Sequence, residues 1–224
     1  MLIFILKFTS ITHNPKTLNM ENKWLLWATE LQAIAQAGLA FSQDKYDLER
    51  FQKVRDIAIS IVHEHTGVSH EKVRDLFASE TGYQTPKVDI RSAIIENNKI
   101  LMVREKADGA WSLPGGYADI NTSVGESAKR ECLEEAGATV IPRRIIAIHH
   151  GNRRNNLVFP YTIYKIFVEC ELTNMQFREN SETFEAGFFE LDSLPLLSSS
   201  RNTREQIKMC FDAREQRVFE AVFD

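Results

Sequence analysis

Three carboxylates close together on one predicted helix are the part of this sequence best suited to chemistry. They are Glu131, Glu134 and Glu135, in the run Arg130-Glu131-Cys132-Leu133-Glu134-Glu135-Ala136-Gly137. At about 100° per residue, Glu131 and Glu135 lie about 40° apart around the helix axis, with Glu134 about 60° to the other side of Glu131. Like charges at these spacings repel by a few tenths of a kcal/mol per pair. A divalent cation reverses that cost, because hard cations such as Mg²⁺ take carboxylate oxygens. The competing reading is a solvated acidic face with Arg130 paired to Glu134. The preceding residues, Trp111-Ser112-Leu113-Pro114-Gly115-Gly116, favour the metal. Proline and paired glycines make a tight loop that lets backbone approach a ligand closely. Strand, loop and acidic helix together form a candidate diphosphate and metal site.

The helix has local start and stop signals. Ser123 and Glu126 have capping-box spacing, and Gly137 is placed to end it. Glu126 projects about 140° from Glu131, so it faces away from the cluster and is assigned to the cap. Around the helix, Val88 to Ile95 and Ile100 to Arg104 read as strands joined at Asn97-Asn98, a hairpin signal. Lys106 to Ala110 reads as a loop, Trp111 to Leu113 as a short strand and Val140 to His149 as a strand. Asn152 to Asn156 is a polar loop, Leu157 to Leu172 a long strand run and Glu185 to Leu191 a short strand. Arg204 to Val218 reads as a closing helix. Mixed strands with helices fit an α+β sandwich. The N-terminal part differs. Residues 22–40, 44–65 and 69–79 read as helices with apolar stripes, the first through Leu25, Ala28, Leu31, Ile34 and Ala35, the second through Leu48, Phe51, Val54, Ile57 and Ile61. Ser69 is the candidate cap of the third. The expected division is residues 1–19 as a tail or upstream extension (Met20 being the natural start), 20–84 as a small all-helical domain, and 85–224 as the catalytic domain.

Composition narrows the class. With 43% hydrophobic and 26% charged residues, the chain is of globular type. A net charge of −4 argues against a general nucleic-acid binder. The opening run MLIFILKFTS is too short to span a membrane and lacks the basic n-region of a signal peptide. Cys132, Cys170 and Cys210 are far apart and lack metal spacing, which suits a reducing cytoplasm. Cys132 reads as packing.

The segment Gly115 to Ala138 resembles the Nudix box, the signature of hydrolases that split nucleoside diphosphates linked to another moiety. Gly116, Arg130, Glu131, Cys132, Glu134, Glu135, Gly137 and Ala138 stand in register with the pattern. The chain departs from it at the isolated Glu, where Thr122 stands. The likeness extends through Lys23-Trp24 to Leu39, Asp44 to Arg50, Gly82 to Asp89 and Leu197-Ser198 to Arg201. It is similar there to one Nudix subgroup with an N-terminal helical domain, which includes CDP-choline and ADP-ribose pyrophosphatases. The resemblance implies a Nudix α/β/α sandwich with a mixed sheet, preceded by the helical domain. It implies hydrolysis of a nucleoside diphosphate-X to a nucleoside monophosphate and phospho-X, with Mg²⁺ or Mn²⁺ as cofactor. The metal ligands are then Glu131, Glu135 and Gly116, with Glu134 as third ligand or water-orienting residue. Glu182 is the candidate general base and Glu185 the fallback. Arg91, Arg104 and Tyr117 are candidate substrate contacts, while Trp111, Phe159 and Tyr161 are further stacking candidates. Arg130 reads as a helix anchor, and His149 and His150 as packed or solvent-facing. The expected partner is a second copy, a homodimer through the N-terminal helices. A catalytically silent Nudix ligand sensor and an RNA-end exonuclease or pyrophosphohydrolase are the alternatives.

Overall fold

The computed structural model describes residues 23–78, 82–155, 161–216 and 220–224. Residues 1–19, Met20 and Phe159 lie outside them. The chain divides into two compact units between Tyr83 and Gln84.

The first unit is α1 (Lys23–Phe41), α2 (Lys45–Thr66) and α3 (His70–Ala78). Asp44 caps α2 by accepting from Asp47 N at 2.9 Å, and Gly67 ends it in the left-handed region. Ala28, Ile59, Val62 and Val73 form its small core, with Trp24, Leu25, Ile61 and Val68 against them. Gly38 does not break α1, because the Phe51 ring packs where its side chain would be. Ile34 and Ile57, expected on buried stripes, are instead exposed, as are Leu26, Trp27, Phe41 and Tyr46. Three helices of this length carry more apolar surface than they can cover for one another.

The second unit holds β1 (Lys87–Ala93), β2 (Ile95–Glu96), β3 (Lys99–Glu105), β4 (Trp111–Ser112), α4 (Val124–Ala136), β5 (Ala138–His150), α5 (Gly151–Arg154), β6 (Ile163–Met175), β7 (Thr183–Phe189), α6 (Arg204–Glu215) and β8 (Val222–Phe223). One sheet runs β1-β6-β5-β8 and mixes parallel with antiparallel pairs; in the other, β3 is flanked by β2, β4 and β7. Ala128, Cys132 and Ala136 of α4 cover one core with Ile90, Leu101, Val103 and Val168. Ile207, Cys210 and Phe211 of α6 cover a second with Ile100, Met102, Leu113 and Phe167. This is the α+β sandwich that the patterns predict. Among the described residues no helix is long and apolar enough to cross a membrane.

The predicted hairpin is only partly formed. Asn97 and Asn98 have positive φ, 49° and 59°, and turn β2 onto β3. β1 leaves this pairing and runs parallel to β6 from Lys87↔Ile163 to Ala93↔Glu169. Its continuous burial from Asp89 to Ala93 is that of a strand covered on both faces. The polar loop after His150 starts as one helical turn, α5. The two-residue β8, with no sequence signal of its own, pairs with β5 at Ala147 and Ile148.

Candidate active site

The acidic helix is fixed at both ends. Glu126 N donates to Ser123 Oγ at 3.2 Å, and Ser123 N donates to Glu126 Oε2 at 2.8 Å. These bonds hold the Glu126 carboxyl below its usual range. Gly137, at φ 61°, closes the other end. Ala128, Cys132 and Ala136 face the core at i, i+4 spacing, and this turns Glu131 and Glu135 inward beside them. Glu131 and Glu135 are buried; Glu134 is exposed.

The loop before the helix lies along β1. Ser92 N donates to Pro114 O at 2.9 Å and Ile90 N to Gly116 O at 2.8 Å. The two glycines have separate reasons. A Cβ on Gly115 (φ 151°) would stand 1.9 Å from Ile90 O, and one on Gly116 would stand 2.9 Å from Glu131 Oε1. The Gly115 N–H donates to Glu135 Oε2 at 2.8 Å. The loop thus delivers a backbone donor to one carboxylate and leaves room for the other.

The carboxylates carry more charge than their surroundings tolerate. Burial raises the Glu131 carboxyl above its usual range, against the pull of Arg130 and Arg91. Burial, and then the neighbouring Glu105, push Glu135 up to about 8, although Arg91 and the Gly115 N–H act in the other direction. Glu105 is itself buried, accepting from Ser112 Oγ at 2.5 Å and from Arg201 Nε at 3.0 Å.

The three helix carboxylates do not converge on one point. Arg130 bridges Glu131 at 2.8 Å, Glu134 at 3.0 Å and Asp119 at 3.3 Å, while Glu135 turns under Gly115. Among the described residues no three His, Cys, Asp or Glu side chains are grouped to hold a metal ion. The guanidinium instead sits where cationic charge is wanted. A hard divalent cation would suit the same Glu131 and Glu134 oxygens. The Gly116 carbonyl, expected as a ligand, already accepts from Ile90; its second lone pair is its remaining capacity.

The other expected residues are placed unequally. Arg91 is buried and gives three hydrogen bonds inside the fold, to Asp89 at 2.7 and 3.1 Å and to Leu113 O at 3.2 Å. It lies beneath the acidic pair and does not present donors to solvent as a phosphate clamp does. Arg104 is exposed; its Nε donates to Gly109 O at 3.1 Å and its guanidinium lies 6.0 Å from the Phe184 ring centre. Tyr117 places its hydroxyl 3.4 Å from that of Tyr161, half-buried, and burial raises its pKa. Glu182 is exposed, close enough to Glu131 to raise its pKa, with its backbone held by Lys106 N and Asn180 Oδ1. Glu185 pairs across from Arg104 on β7. Thr122 does not point a ligand at the cluster: its hydroxyl donates to Asp119 O at 2.7 Å and lies 2.9 Å from Ser127 Oγ. Trp111 packs edge-on against Phe189, and His149 against Phe167.

Sequence reasoning missed a polar web at the site, in which buried Asp89, Glu105, Lys165 and Asn202 are joined by the half-buried Arg201. Lys165 Nζ donates to the carbonyls of Ser200 and Arg201 and lies 3.9 Å from Asp89; burial lowers it to about 7. A signal existed for part of the web. Asp89 and Arg91, two apart on β1, must share a face, and Lys165 interrupts the apolar start of β6 between Ile163 and Val168.

Comparison with known proteins identifies the family. Residues 22–77 match a family model described as a UDP-X-like N-terminal oligomerisation domain, and residues 85–209 match the NUDIX domain. The Bacillus subtilis (strain 168) protein named "Putative ADP-ribose pyrophosphatase YjhB" is 40% identical over 207 residues, covering 92% of this chain and 100% of that one. The crystal structure of an ADP-ribose pyrophosphatase from Streptococcus suis 89-1591 superposes with a TM-score of 0.59 at 42% identity, covering 62% of this chain and 100% of that chain. The crystal structure of a UDP-X diphosphatase superposes with a TM-score of 0.60 at 29% identity, covering 91% and 99%.

Proposed function

The chain belongs to the Nudix family as a pyrophosphohydrolase of nucleoside diphosphates linked to another moiety, and from that premise we propose that its substrate is of the ADP-ribose or CDP-choline type. The products are a nucleoside monophosphate and phospho-X. The observation that carries the reading is the pairing of loop and helix, in which Gly115 N–H grips Glu135 while Gly116 leaves space beside Glu131. The names of the relatives favour ADP-ribose.

Glu131, Glu134 and Glu135, with the Gly116 carbonyl, would hold Mg²⁺ or Mn²⁺. The bound ions supply neutralisation of diphosphate charge and a more acidic water. The chain's own groups do the rest. Arg130 keeps Glu131 and Glu134 gathered until they are needed. Gly115 N–H fixes the direction of Glu135. Glu182, exposed beside Glu131, is the proposed base that takes a proton from the attacking water. Arg104 and Tyr117 are proposed to contact the substrate. Arg91 acts from below, through Leu113, and we give it no direct contact.

Residues 20–84 are proposed as a dimerising helical domain and 85–224 as the catalytic one. The exposed Leu26, Trp27, Ile34 and Phe41 support a homodimer, as does the oligomerisation domain that the family model describes. Three free, buried cysteines favour a cytoplasmic setting. The deciding experiment is a Mg²⁺/Mn²⁺ hydrolysis screen over ADP-ribose, CDP-choline, NADH, dinucleoside polyphosphates and short RNA, with products identified. Turnover of RNA alone, or of nothing, would remove the proposed substrate class.

A further inference from the structure

The backbone of Leu113 is held on both sides by side chains from distant parts of the chain. Its N–H donates to Asn202 Oδ1 at 2.7 Å, and its carbonyl accepts from Arg91 at 3.2 Å. Leu113 and Asn202 are both fully buried. Leu113 lies two residues before Gly115, whose N–H holds Glu135, and three before Gly116, which borders Glu131. These residues leave β4 at Ser112; Pro114 and Gly116 accept backbone bonds from Ser92 and Ile90 of β1, while Leu113 between the two strands is held by side chains.

Asn202 is anchored in turn. Its N–H donates to Ser198 O at 3.0 Å. Lys165 Nζ donates to the carbonyls of the consecutive Ser200 and Arg201, Asn155 Nδ2 donates to Ser199 O at 2.9 Å, and Ser198 Oγ donates to Asp108 Oδ2 at 2.7 Å. The turn is fastened to β6, to the end of α5 and to the loop between β3 and β4 before it reaches Leu113.

One feature of Asn202 is costly. Its Nδ2 is buried with no hydrogen-bond partner. An unpaired buried donor works against folding, and an apolar residue here would only move that cost to the buried Leu113 N–H, which would lose its acceptor. The amide orientation is set by Leu113 N–H, which only the oxygen can accept.

We propose that Asn202 is a positioning residue of the hydrolytic site: it fixes Leu113 so that Gly115 and Gly116 meet Glu135 and Glu131. The inference rests on the Nudix reading for its effect on turnover, but not for its effect on the loop. Asn202→Ala removes the acceptor, and Asn202→Asp keeps one at the same place; it is compared with the parent at pH 5, where a buried carboxyl holds its proton and adds no charge. Hydrogen exchange of the 111–117 segment and steady-state kinetics are measured for both and for the parent protein. The expected result is exchange at least tenfold faster in that segment for Asn202→Ala, the rest of the chain unchanged. With it, kcat falls tenfold or more and KM stays within about twofold. Asn202→Asp recovers both readouts to within about threefold. Exchange in 111–117 that is unchanged by Asn202→Ala, or faster throughout the chain, overturns the proposal. So does an Asn202→Asp protein as impaired as Asn202→Ala. If the parent protein turns over none of the substrates, the functional reading fails, and the exchange data alone decide the positioning claim.

Discussion

Replacing Glu135 by Gln should stabilise the metal-free protein while removing its activity. Glu135 is buried, with a carboxyl pushed from 4.5 up to about 8. A raised carboxyl keeps its proton in the folded state over a window where the unfolded chain has lost it. The folded protein therefore binds more protons between about 4.5 and 8, and its stability falls as pH rises through that window. At about 1.4 kcal/mol per unit, full ionisation in place costs about 5 kcal/mol. Relaxation around the charge reduces this to about 2–3 kcal/mol. Gln keeps an oxygen for the Gly115 N–H and has no charge to bury. Urea unfolding in EDTA should show Glu135→Gln more stable by about 2–3 kcal/mol at pH 8.5 and nearly equal at pH 5. Mg²⁺ should stabilise the parent protein, more at the higher pH, and the variant much less. Hydrolysis by the variant should fall about 10³-fold. A variant less stable than the parent at pH 8.5, or a difference that does not change with pH, would refute the reasoning.

Other substitutions separate scaffold from site. Gly115→Ala forces a Cβ onto Ile90 O at a backbone angle that favours glycine, and should cost about 2 kcal/mol or more with at least a hundredfold loss of turnover. Urea melts and kinetics check both effects. Glu126→Ala removes one arm of the capping box and should cost about 0.5–1 kcal/mol, with kcat within twofold of the parent. Thr122→Ala loses hydroxyl bonds to Asp119 and Ser127 and should cost about 1 kcal/mol with little change in turnover. A hundredfold loss of kcat there would make Thr122 a ligand after all.

What the sequence revealed was local. The acidic helix was legible to the residue at both ends, because a capping box and a left-handed glycine act within one turn. The Asn97-Asn98 turn was legible for the same reason. The fate of β1 was not, because its partner β6 lies more than 70 residues away and the choice between a hairpin and a parallel pair is made by packing. The site divides along the same line. The spacing put Glu131, Glu134 and Glu135 on one face, but burial of two and exposure of the third follow from what covers the helix. Arg91 looked free because its partner Asp89 becomes one only when both are buried on a covered strand. Asn202 was invisible because its work is done on a backbone 89 residues away. Ile34 and Ile57 had the periodicity of core positions, and periodicity cannot say whether the covering surface belongs to the same chain.

The central claim is that the loop-held carboxylates make this chain a metal-dependent nucleoside diphosphate-X hydrolase. Its most direct test is the incubation of ADP-ribose with the purified protein and Mg²⁺ or Mn²⁺, with and without EDTA, beside Glu135→Gln. The account predicts AMP and ribose 5-phosphate from the parent protein with metal, and neither product with EDTA or the variant. Equal product formation by the variant, or hydrolysis that persists in EDTA, would contradict it.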